Sequence, residues 1–311
     1  MIAMNVDKST GIIVIDKPTG TSSAQVVARV KRLLKVKKIG HTGTLDPFAS
    51  GVLVCCLNQA TKLARFFLKG HKRYDAVLKL GTSTDTQDVT GKVVGQPADV
   101  RVSEKALQDA FARFRGAIDQ QPPIYSALKH KGKPLYELAR SGRPEQKPPR
   151  RVQIQTLEIE RIELPYVSFT VLCSAGTYIR TLCQDIGDLL GCGGYLHALR
   201  RTECSGFALK QAVTLSDLEK EVQTSAASDR IVPMAASLPQ MPEGLVSAVT
   251  AKKIRQGQPL TEMDLISTSE SGTVDWLNGY VKIVDINREL IAIVAHSSSS
   301  RRLEYCCVFP N

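Results

Sequence analysis

Apolar residues fall into short runs along this chain, and turn-forming residues separate the runs. A run bounded by Gly, Pro, Asp or Thr predicts a buried strand, and strict alternation of apolar and polar residues predicts a strand with one buried face. Residues 74–80 alternate in this way, with Tyr74 and Leu80 on the same face. By these criteria the large strands are Ile12–Ile15, Val52–Leu57, Tyr74–Leu80, Val152–Leu164 and Val167–Cys173.

Helical spacing of apolar residues marks three other segments. Ser22 and Gln25 form a capping-box pattern ahead of a helix whose polar positions are mostly basic. A second helix opens within Gly176-Thr-Tyr-Ile-Arg180, with Thr177 as candidate cap, and Gly191 ends it. Residues 104–115 have the third helical pattern.

Residues 121–151 differ in composition from the segments on either side. They hold 6 of the 15 prolines, and 8 Lys/Arg against 2 Asp/Glu. A basic, proline-rich segment is typical of a surface excursion that folds in part on binding, rather than of a core element.

A second, smaller domain is predicted near the end of the chain. Leu238–Gly244 is the best linker candidate, because it combines two prolines with a glycine. Beyond it, strands are predicted at Tyr280–Ile286, Leu290–His296 and Tyr305–Phe309, with a polar turn at Ser297–Ser300. We therefore expect a large domain over residues 1–237 and a small β-rich domain over residues 238–311.

The net charge of +11 is unevenly distributed. Residues 241–311 hold 7 Lys/Arg against 8 Asp/Glu, so residues 1–240 carry +12. A basic surface attracts polyanions such as nucleic acids. The large domain is therefore the candidate for the main polyanion contact.

Composition and motifs argue against several other classes of protein. No apolar run approaches the roughly 20 residues of a membrane span, and no signal-peptide pattern follows Met1. The 8 cysteines form no C-x-x-C pair, which favours reduced thiols in the cytoplasm over a zinc site or a disulfide framework. Phosphate-binding, dinucleotide and zinc-protease motifs are absent, and Asp85 with Asp88 lacks calcium-loop spacing, so no metal site is expected.

Two charged residues are candidates for chemistry on local grounds. Pro47 restricts Asp46 to extended backbone angles, which can hold its carboxylate away from the chain, although Asp-Pro is also a common turn dipeptide. Arg180 falls in the first turn of a predicted helix, where a cation opposes the helix dipole. Either a nearby anion compensates this charge, or Arg180 is simply exposed to solvent.

Aromatic residues near these positions could contact a base. Tyr74 and Tyr178 can stack and exchange a proton, although most tyrosines are half-buried core residues. His41 could titrate or stack, or be a loop residue without a role. From these residues alone, the chain is a basic two-domain protein, RNA-binding by its charge, with a carboxylate available for catalysis.

Six ordered motifs resemble those of the TruB family of pseudouridine synthases. His41-Thr-Gly-Thr-Leu-Asp46-Pro-Phe-Ala-Ser-Gly51 is similar to that family's catalytic motif, H-T-G-x-L-D-P-x-A-x-G. The other five matches are Asp16–Ser23, Lys72–Tyr74 with Leu80-Gly and Thr84–Asp88, Gln121–Lys129 with Gly132–Tyr136, Gly176–Arg180, and Leu199–Thr202 with Gly206-Phe207. The segment Ile254–Leu260 bears a weaker resemblance, to a PUA-like domain.

The resemblance implies an α+β pseudouridine synthase fold, with a bent, mostly antiparallel sheet flanked by helices and loops and a small PUA-like C-terminal domain. It implies conversion of uridine 55 in the tRNA T-loop to pseudouridine, without a cofactor. Asp46 would be the nucleophile, and Arg180 would pair with its carboxylate. Tyr74 would stack on the target base, and Tyr178 and Leu199 would line the uracil pocket. His41 would fill the gap left by the flipped uridine.

The same resemblance gives the basic segments a task. Residues 121–151 would form a thumb-like insertion that grips the T-arm through its phosphates. The expected RNA contacts are Lys17, Asp88, Lys129, Lys131, Lys133, Arg150 and Arg151. We expect tRNA as partner, with no membrane, no required protein partner and a monomeric, cytoplasmic enzyme. The alternatives are a non-catalytic RNA chaperone, the catalytic subunit of a guide-RNA complex, and an unrelated aspartate hydrolase.

Overall fold

The computed structural model describes residues 10–266, 279–296 and 302–310. The α-helices, numbered in chain order, are α1 (Ser23–Leu33), α2 (Ala64–Phe67), α3 (Glu104–Arg113), α4 (Leu135–Arg140), α5 (Ile179–Leu189), α6 (Leu215–Gln223) and α7 (Ala248–Arg255). The β-strands are β1 (Gly11–Lys17), β2 (Ile39–His41), β3 (Ser50–Leu57), β4 (Lys72–Leu80), β5 (Ser83–Thr84), β6 (Val93–Val94), β7 (Gly116–Gln120), β8 (Lys129–His130), β9 (Lys133–Pro134), β10 (Arg150–Glu163), β11 (Tyr166–Cys173), β12 (Gly194–Cys204), β13 (Phe207–Ala208), β14 (Val213–Thr214), β15 (Glu243–Leu245), β16 (Leu260–Thr261), β17 (Tyr280–Val284), β18 (Leu290–His296) and β19 (Arg302–Val308).

A ten-stranded sheet forms the centre of the molecule. Its main path runs β14-β1-β3-β12-β4-β11-β10-β7, with β2 beside β3 and β13 beside β12. Only the β1–β14 and β3–β12 pairs are parallel among these strands. The mostly antiparallel sheet that the resemblance implied is therefore present.

Strand β1 is buried on both faces because two different layers cover it. Ile13 and Ile15 pack with α1 and α6, whereas Ile12 and Val14 face a second cluster that includes residues of β17, β18 and the C-terminus. Successive side chains of a strand point to opposite faces, so an uninterrupted apolar run is what this position requires. Burial of each such side chain contributes about 1.5–3 kcal/mol.

The other end of the sheet packs against α3 and α5. Phe111 of α3 and Phe169 of β11 meet edge to face, with ring centroids 5.4 Å apart. Leu182 and Ile186 of α5 are fully buried in the same cluster. This packing fixes the N-terminus of α5 against the sheet, and Arg180 projects from that N-terminus.

A five-stranded sheet, in the order β15-β17-β18-β19-β16, follows the large domain. The expected strands at Tyr280–Ile286 and Tyr305–Phe309 are present with shifted ends, and that at Leu290–His296 has the expected ends. The expected polar turn at Ser297–Ser300 lies outside the described residues.

The basic segment 121–151 has regular structure of its own. It contains the short hairpin β8–β9, helix α4 and the start of β10. The hairpin and the helix give this segment local order, and its further folding on binding stays a prediction. In the described part of the chain, no helix is long and apolar enough to cross a membrane.

Candidate active site

Asp46 lies in the loop that joins β2 to β3. Gly43 and Gly51 bracket the loop with positive φ angles of 146° and 102°. A side chain at Gly51 would place its Cβ 2.2 Å from the carbonyl oxygen of Arg201, so only glycine fits there. On the other side, Ser23 at the start of α1 exchanges 2.9 Å hydrogen bonds with the backbone of Leu45. The loop is thus held from two elements, and the Asp46 side chain remains 34% exposed.

Arg180 connects Asp46 to two other loops. Its Nε lies 2.9 Å from Asp46 Oδ2, while its two Nη atoms donate to the carbonyl oxygens of Thr86, at 3.0 Å, and Tyr125, at 2.8 Å. The Arg180 side chain is 5% exposed. One guanidinium therefore joins four motifs that are far apart in the sequence, and it aims one carboxylate oxygen of Asp46.

Two carboxylates compensate the charge of Arg180 at the N-terminus of α5. Helix α5 begins at Ile179 with Tyr178 as its N-cap, one residue later than the expected Thr177 cap, so Arg180 still lies in the first turn. Besides Asp46, Asp88 Oδ2 lies 3.8 Å from Arg180 Nε. These two anions offset the unfavourable position of a cation at a helix N-terminus.

Asp88, a predicted RNA contact, is buried in the structure. The residue is 4% exposed. Its Oδ1 accepts hydrogen bonds from the hydroxyls of Thr86 and Thr90 and from the Thr90 amide. A buried carboxylate requires several donors and a nearby cation. Asp88 finds the donors within its own loop and the cation in Arg180.

Lys17 was also expected to contact RNA, and it is fully buried. Its Nζ donates to the carbonyl oxygens of Pro18, Thr21 and Pro47, at 2.8, 2.6 and 3.3 Å. Burial lowers the pKa of Lys17 to about 8, and the nearby Asp46 carboxylate opposes this shift. Lys17 therefore ties the end of β1 to the loop that follows Asp46.

Burial and neighbouring charges act in opposite directions on Asp46. Burial raises the pKa of its carboxyl above the ordinary value, and the Arg180 cation lowers it. Asp88 raises this pKa further, whereas Lys17 lowers it. The ionised carboxylate thus depends on Arg180.

Tyr74 and Leu199 come from neighbouring strands of the sheet. Tyr74 on β4 is 7% exposed, and Leu199 on β12 pairs with Ala76, two residues further along β4. Burial raises the pKa of Tyr74, so its hydroxyl is neutral at physiological pH. Leu199 also lines a cleft of ≈ 680 Å³ that Phe48 and Ser50 of the Asp46 loop border.

Tyr178 is held through its backbone, and its ring contacts a cation. Gln120, which is 1% exposed, accepts from the Tyr178 amide at 2.7 Å and donates to its carbonyl at 2.9 Å. The Arg150 guanidinium lies 4.8 Å from the centre of the Tyr178 ring and donates to the Gly176 carbonyl. Arg150 therefore contacts the predicted pocket residue directly.

The remaining predicted RNA contacts lie on the surface. Lys129, Lys131 and Lys133 are exposed on the β8–β9 hairpin, and Arg151 is exposed beside Asp119, 3.6 Å away. His41 is half-buried at the end of β2, and its Nδ1 accepts from the Gly43 amide at 3.3 Å. Burial, reinforced by Arg201, lowers the pKa of His41, so its ring is neutral.

Arg201 is a buried charged residue that was not among the predicted site residues. Its guanidinium is fully buried against the Asp46 loop. The alternation of β12 offered a signal, because residues two apart in a strand share a face and Leu199 was already assigned to the pocket. No group of three or more His, Cys, Asp or Glu side chains that could hold a metal occurs among the described residues.

Two family models match consecutive parts of the chain. The TruB family pseudouridylate synthase N-terminal domain matches residues 31–179, and the tRNA pseudouridylate synthase B C-terminal domain matches residues 180–238. A protein from Syntrophus aciditrophicus, named tRNA pseudouridine synthase B, is 42% identical over 287 residues, which cover 91% of this chain and 92% of the relative. The chain belongs to the TruB family. A relative of the same name from Geotalea uraniireducens is 43% identical over 82% of this chain and 85% of its own length.

Solved structures at 25–26% identity share the fold. A chain from a structure described as a Cbf5-Nop10-Gar1 complex superposes with a TM-score of 0.74 at 26% identity, covering 100% of this chain and 88% of its own. A chain from an H/ACA RNP bound to a substrate RNA superposes with a TM-score of 0.73 at 25% identity, covering 97% of this chain and 86% of its own. The expected α+β pseudouridine synthase fold is therefore confirmed.

Proposed function

We propose that this TruB-family chain isomerises uridine 55 in the T-loop of tRNA to pseudouridine. The observation that carries the proposal is the ion pair between Asp46 and the buried Arg180, at the meeting point of four family motifs. Relatives at 42–43% identity carry the name tRNA pseudouridine synthase B, which supports tRNA as substrate. The resemblance supplies position 55.

The reaction rearranges one nucleotide and needs no cofactor. The N1–C1′ bond of uridine breaks, the uracil turns, and C5 bonds to C1′; C5 then loses a proton and N1 gains one. The ionised Asp46 carboxylate attacks either C1′ of the ribose or C6 of the base, and is released when the new bond is complete. Arg180 keeps this carboxylate charged and points one of its oxygens outward.

The neighbouring residues recognise the flipped base. The neutral Tyr74 stacks on the uracil and can transfer a proton, and Tyr178 and Leu199 line the pocket. Flipping costs a few kcal/mol of stacking. His41 offsets part of that cost by occupying the vacated position in the T-loop.

The two domains and the basic insertion have different roles in this proposal. Residues 1–237 form the catalytic domain, and the thumb-like insertion 121–151 binds T-arm phosphates through Lys129, Lys131 and Lys133. Residues 238–311 form a small PUA-like domain. The enzyme works in the cytoplasm as a monomer and requires no protein partner.

A tritium-release assay tests this function. The purified chain is mixed with a tRNA transcript labelled with ³H at C5 of uridine, without guide RNA, and released tritium is measured. We expect release from the normal transcript and none when uridine 55 is replaced by cytidine. A chain that binds the transcript but releases no tritium would be an RNA chaperone instead.

The second candidate, a catalytic subunit directed by guide RNA, has the structural neighbours in its favour, because they come from complexes with other components. The curated relatives match at higher identity and carry the name of a tRNA enzyme. Tritium release that appears only after a guide RNA is added would support the second candidate.

Phosphate binding by the β8–β9 hairpin predicts a steep salt dependence. Replacing Lys129, Lys131 and Lys133 by Ala should weaken tRNA binding and make the plot of log K against log[salt] less steep by about 2, since each lost phosphate contact removes about 0.7–0.9 from the slope. Titrations at several salt concentrations measure this change. Arg101→Ala removes a cation that pairs with Asp99 and serves as control. A flat plot for the unchanged chain would rule out the phosphate role.

A further inference from the structure

We propose that Arg201 is a positioning residue for the isomerisation: it fixes the backbone that carries Asp46 and orients Tyr74. This inference rests on the proposed function for its effect on rate, and on geometry alone for its effect on the loop. Arg201 lies within the family motif Leu199–Thr202, but the resemblance gave it no role.

The donors of Arg201 converge on the Asp46 loop. Nε donates to the Val52 carbonyl at 2.7 Å, and the two Nη atoms donate to the carbonyls of Gly43, at 3.0 Å, and Thr44, at 3.5 Å. Gly43 and Thr44 precede Asp46, and Val52 follows it. One planar guanidinium thus holds both ends of the loop at a fixed separation.

The backbone of Arg201 contacts the same loop. Arg201 pairs with Gly51 in the parallel β3–β12 register. This register is so close that a Cβ on Gly51 would overlap the Arg201 backbone. At the other end, a Cβ on Gly43 would lie 3.7 Å from an Nη atom of Arg201 and 3.5 Å from the Lys72 side chain. Gly51 therefore allows the close approach to Arg201, whereas at Gly43 the positive φ of 146° is what favours glycine.

The charge of Arg201 has no ionic partner to explain it. The residue is 1% exposed, and no carboxylate lies within 4.0 Å of its guanidinium in the described ranges. An unpaired buried charge costs several kcal/mol, and hydrogen bonds to carbonyl oxygens offset only part of that cost. A neutral side chain would fill a purely structural position at lower cost. An arginine at this position is explained by its three donors, which converge on the carbonyl groups of the Asp46 loop.

Arg201 also reaches the second catalytic side chain. Arg201 is the cross-strand neighbour of Tyr74, and its charge lowers the pKa of Tyr74 against the larger effect of burial. Tyr74 and Arg201 face each other across the β4–β12 pair. Arg201 therefore lies beside Tyr74 and also holds the backbone that carries Asp46.

Single-turnover kinetics with Arg201→Met and Arg201→Lys test the inference. We expect the rate constant of Arg201→Met to fall by about 10²-fold, a size typical of misplaced catalytic groups, while the Kd for tRNA changes by less than about threefold. Arg201→Lys should recover part of the rate, because an ammonium can donate to some of the carbonyls. Since Arg201 and Tyr74 are cross-strand neighbours and Arg201 is proposed to act through Tyr74, Arg201→Met and Tyr74→Phe should lower the rate by less together than the product of their separate effects.

Hydrogen exchange gives a readout that does not depend on activity. The Leu45 amide donates to the Ser23 hydroxyl of α1, and the Ala49 amide donates to the Asp46 carbonyl; both should exchange about tenfold faster in Arg201→Met. Leu218→Ala, which changes a fully buried residue of α6, is a stability control. It should change neither the rate constant nor the exchange rates of the loop amides. Unchanged exchange of the loop amides in Arg201→Met would overturn the inference. So would a wild-type rate constant for Arg201→Met, or a double variant with Tyr74→Phe whose loss of rate equals the product of the two single losses. A wild-type chain that releases no tritium yet shows faster loop exchange in Arg201→Met would refute the proposed function alone.

Discussion

Asp46→Asn is expected to abolish turnover while leaving tRNA binding intact. The amide keeps the size of the carboxylate and can still accept a hydrogen bond from Arg180, which lies 2.9 Å away. It cannot form the covalent intermediate, because it is not a nucleophile at physiological pH. We expect the rate constant to fall on the order of 10³-fold or more, while the Kd for tRNA changes by less than about threefold.

Tritium release under single-turnover conditions, together with filter binding of labelled tRNA, measures both effects. Asp85→Asn is the matched control, because Asp85 is an exposed aspartate that caps the Lys92 amide at 2.8 Å. That variant should keep the wild-type rate within about twofold. Pseudouridine formation by Asp46→Asn at a rate near wild type would refute the assignment of Asp46 as nucleophile.

Local signals in the sequence were sufficient to predict some elements. The capping box of Ser22 and Gln25 is present at the start of α1, with both reciprocal hydrogen bonds. Both partners lie within one helical turn, so the local sequence is sufficient to predict the two hydrogen bonds. The alternation of residues 74–80 likewise predicted the buried face of β4, because that face follows from the pleat.

Burial of charged residues could not be predicted in the same way. Lys17 and Asp88 were assigned to the RNA surface, since lysine and aspartate are almost never fully buried without partners. Some of their partners are local, at Pro18 and Thr21 for Lys17 and at Thr86 and Thr90 for Asp88, but the Pro47 carbonyl and Arg180 come from other parts of the sequence. Only the folded sheet brings these groups together.

The candidate site was predicted unevenly for the same reason. The pairing of Asp46 with Arg180 followed from the motif resemblance, and the structure places the two groups in contact. The carbonyl acceptors of Arg180, on Thr86 and Tyr125, have no side-chain signature at all. Backbone contacts of this kind become visible only in three dimensions, and they explain why Arg201 was missed.

Arg180→Met should produce the second-largest loss of activity and should change its pH dependence. The nucleophile must be ionised, and the Arg180 cation lowers the pKa of the Asp46 carboxyl against the effect of burial. Without that cation the pKa rises, so the carboxylate is protonated over a wider acidic range. The acidic limb of the pH–rate profile should therefore shift to higher pH. Asp88 reinforces this shift and Lys17 opposes it.

Arg180→Lys separates charge from geometry in the same measurement. Lysine keeps the positive charge, so the acidic limb should stay near its wild-type position. A single ammonium cannot replace the guanidinium toward Asp46 and the carbonyls of Thr86 and Tyr125 together, so the plateau rate should still fall, by about 10²-fold. Rate constants for both variants between pH 5 and 9, at a temperature below each variant's melting transition, measure the limb and the plateau. If Arg180→Met kept the wild-type acidic limb, Arg180 would not control ionisation of Asp46, and its role would be confined to joining the loops around the site.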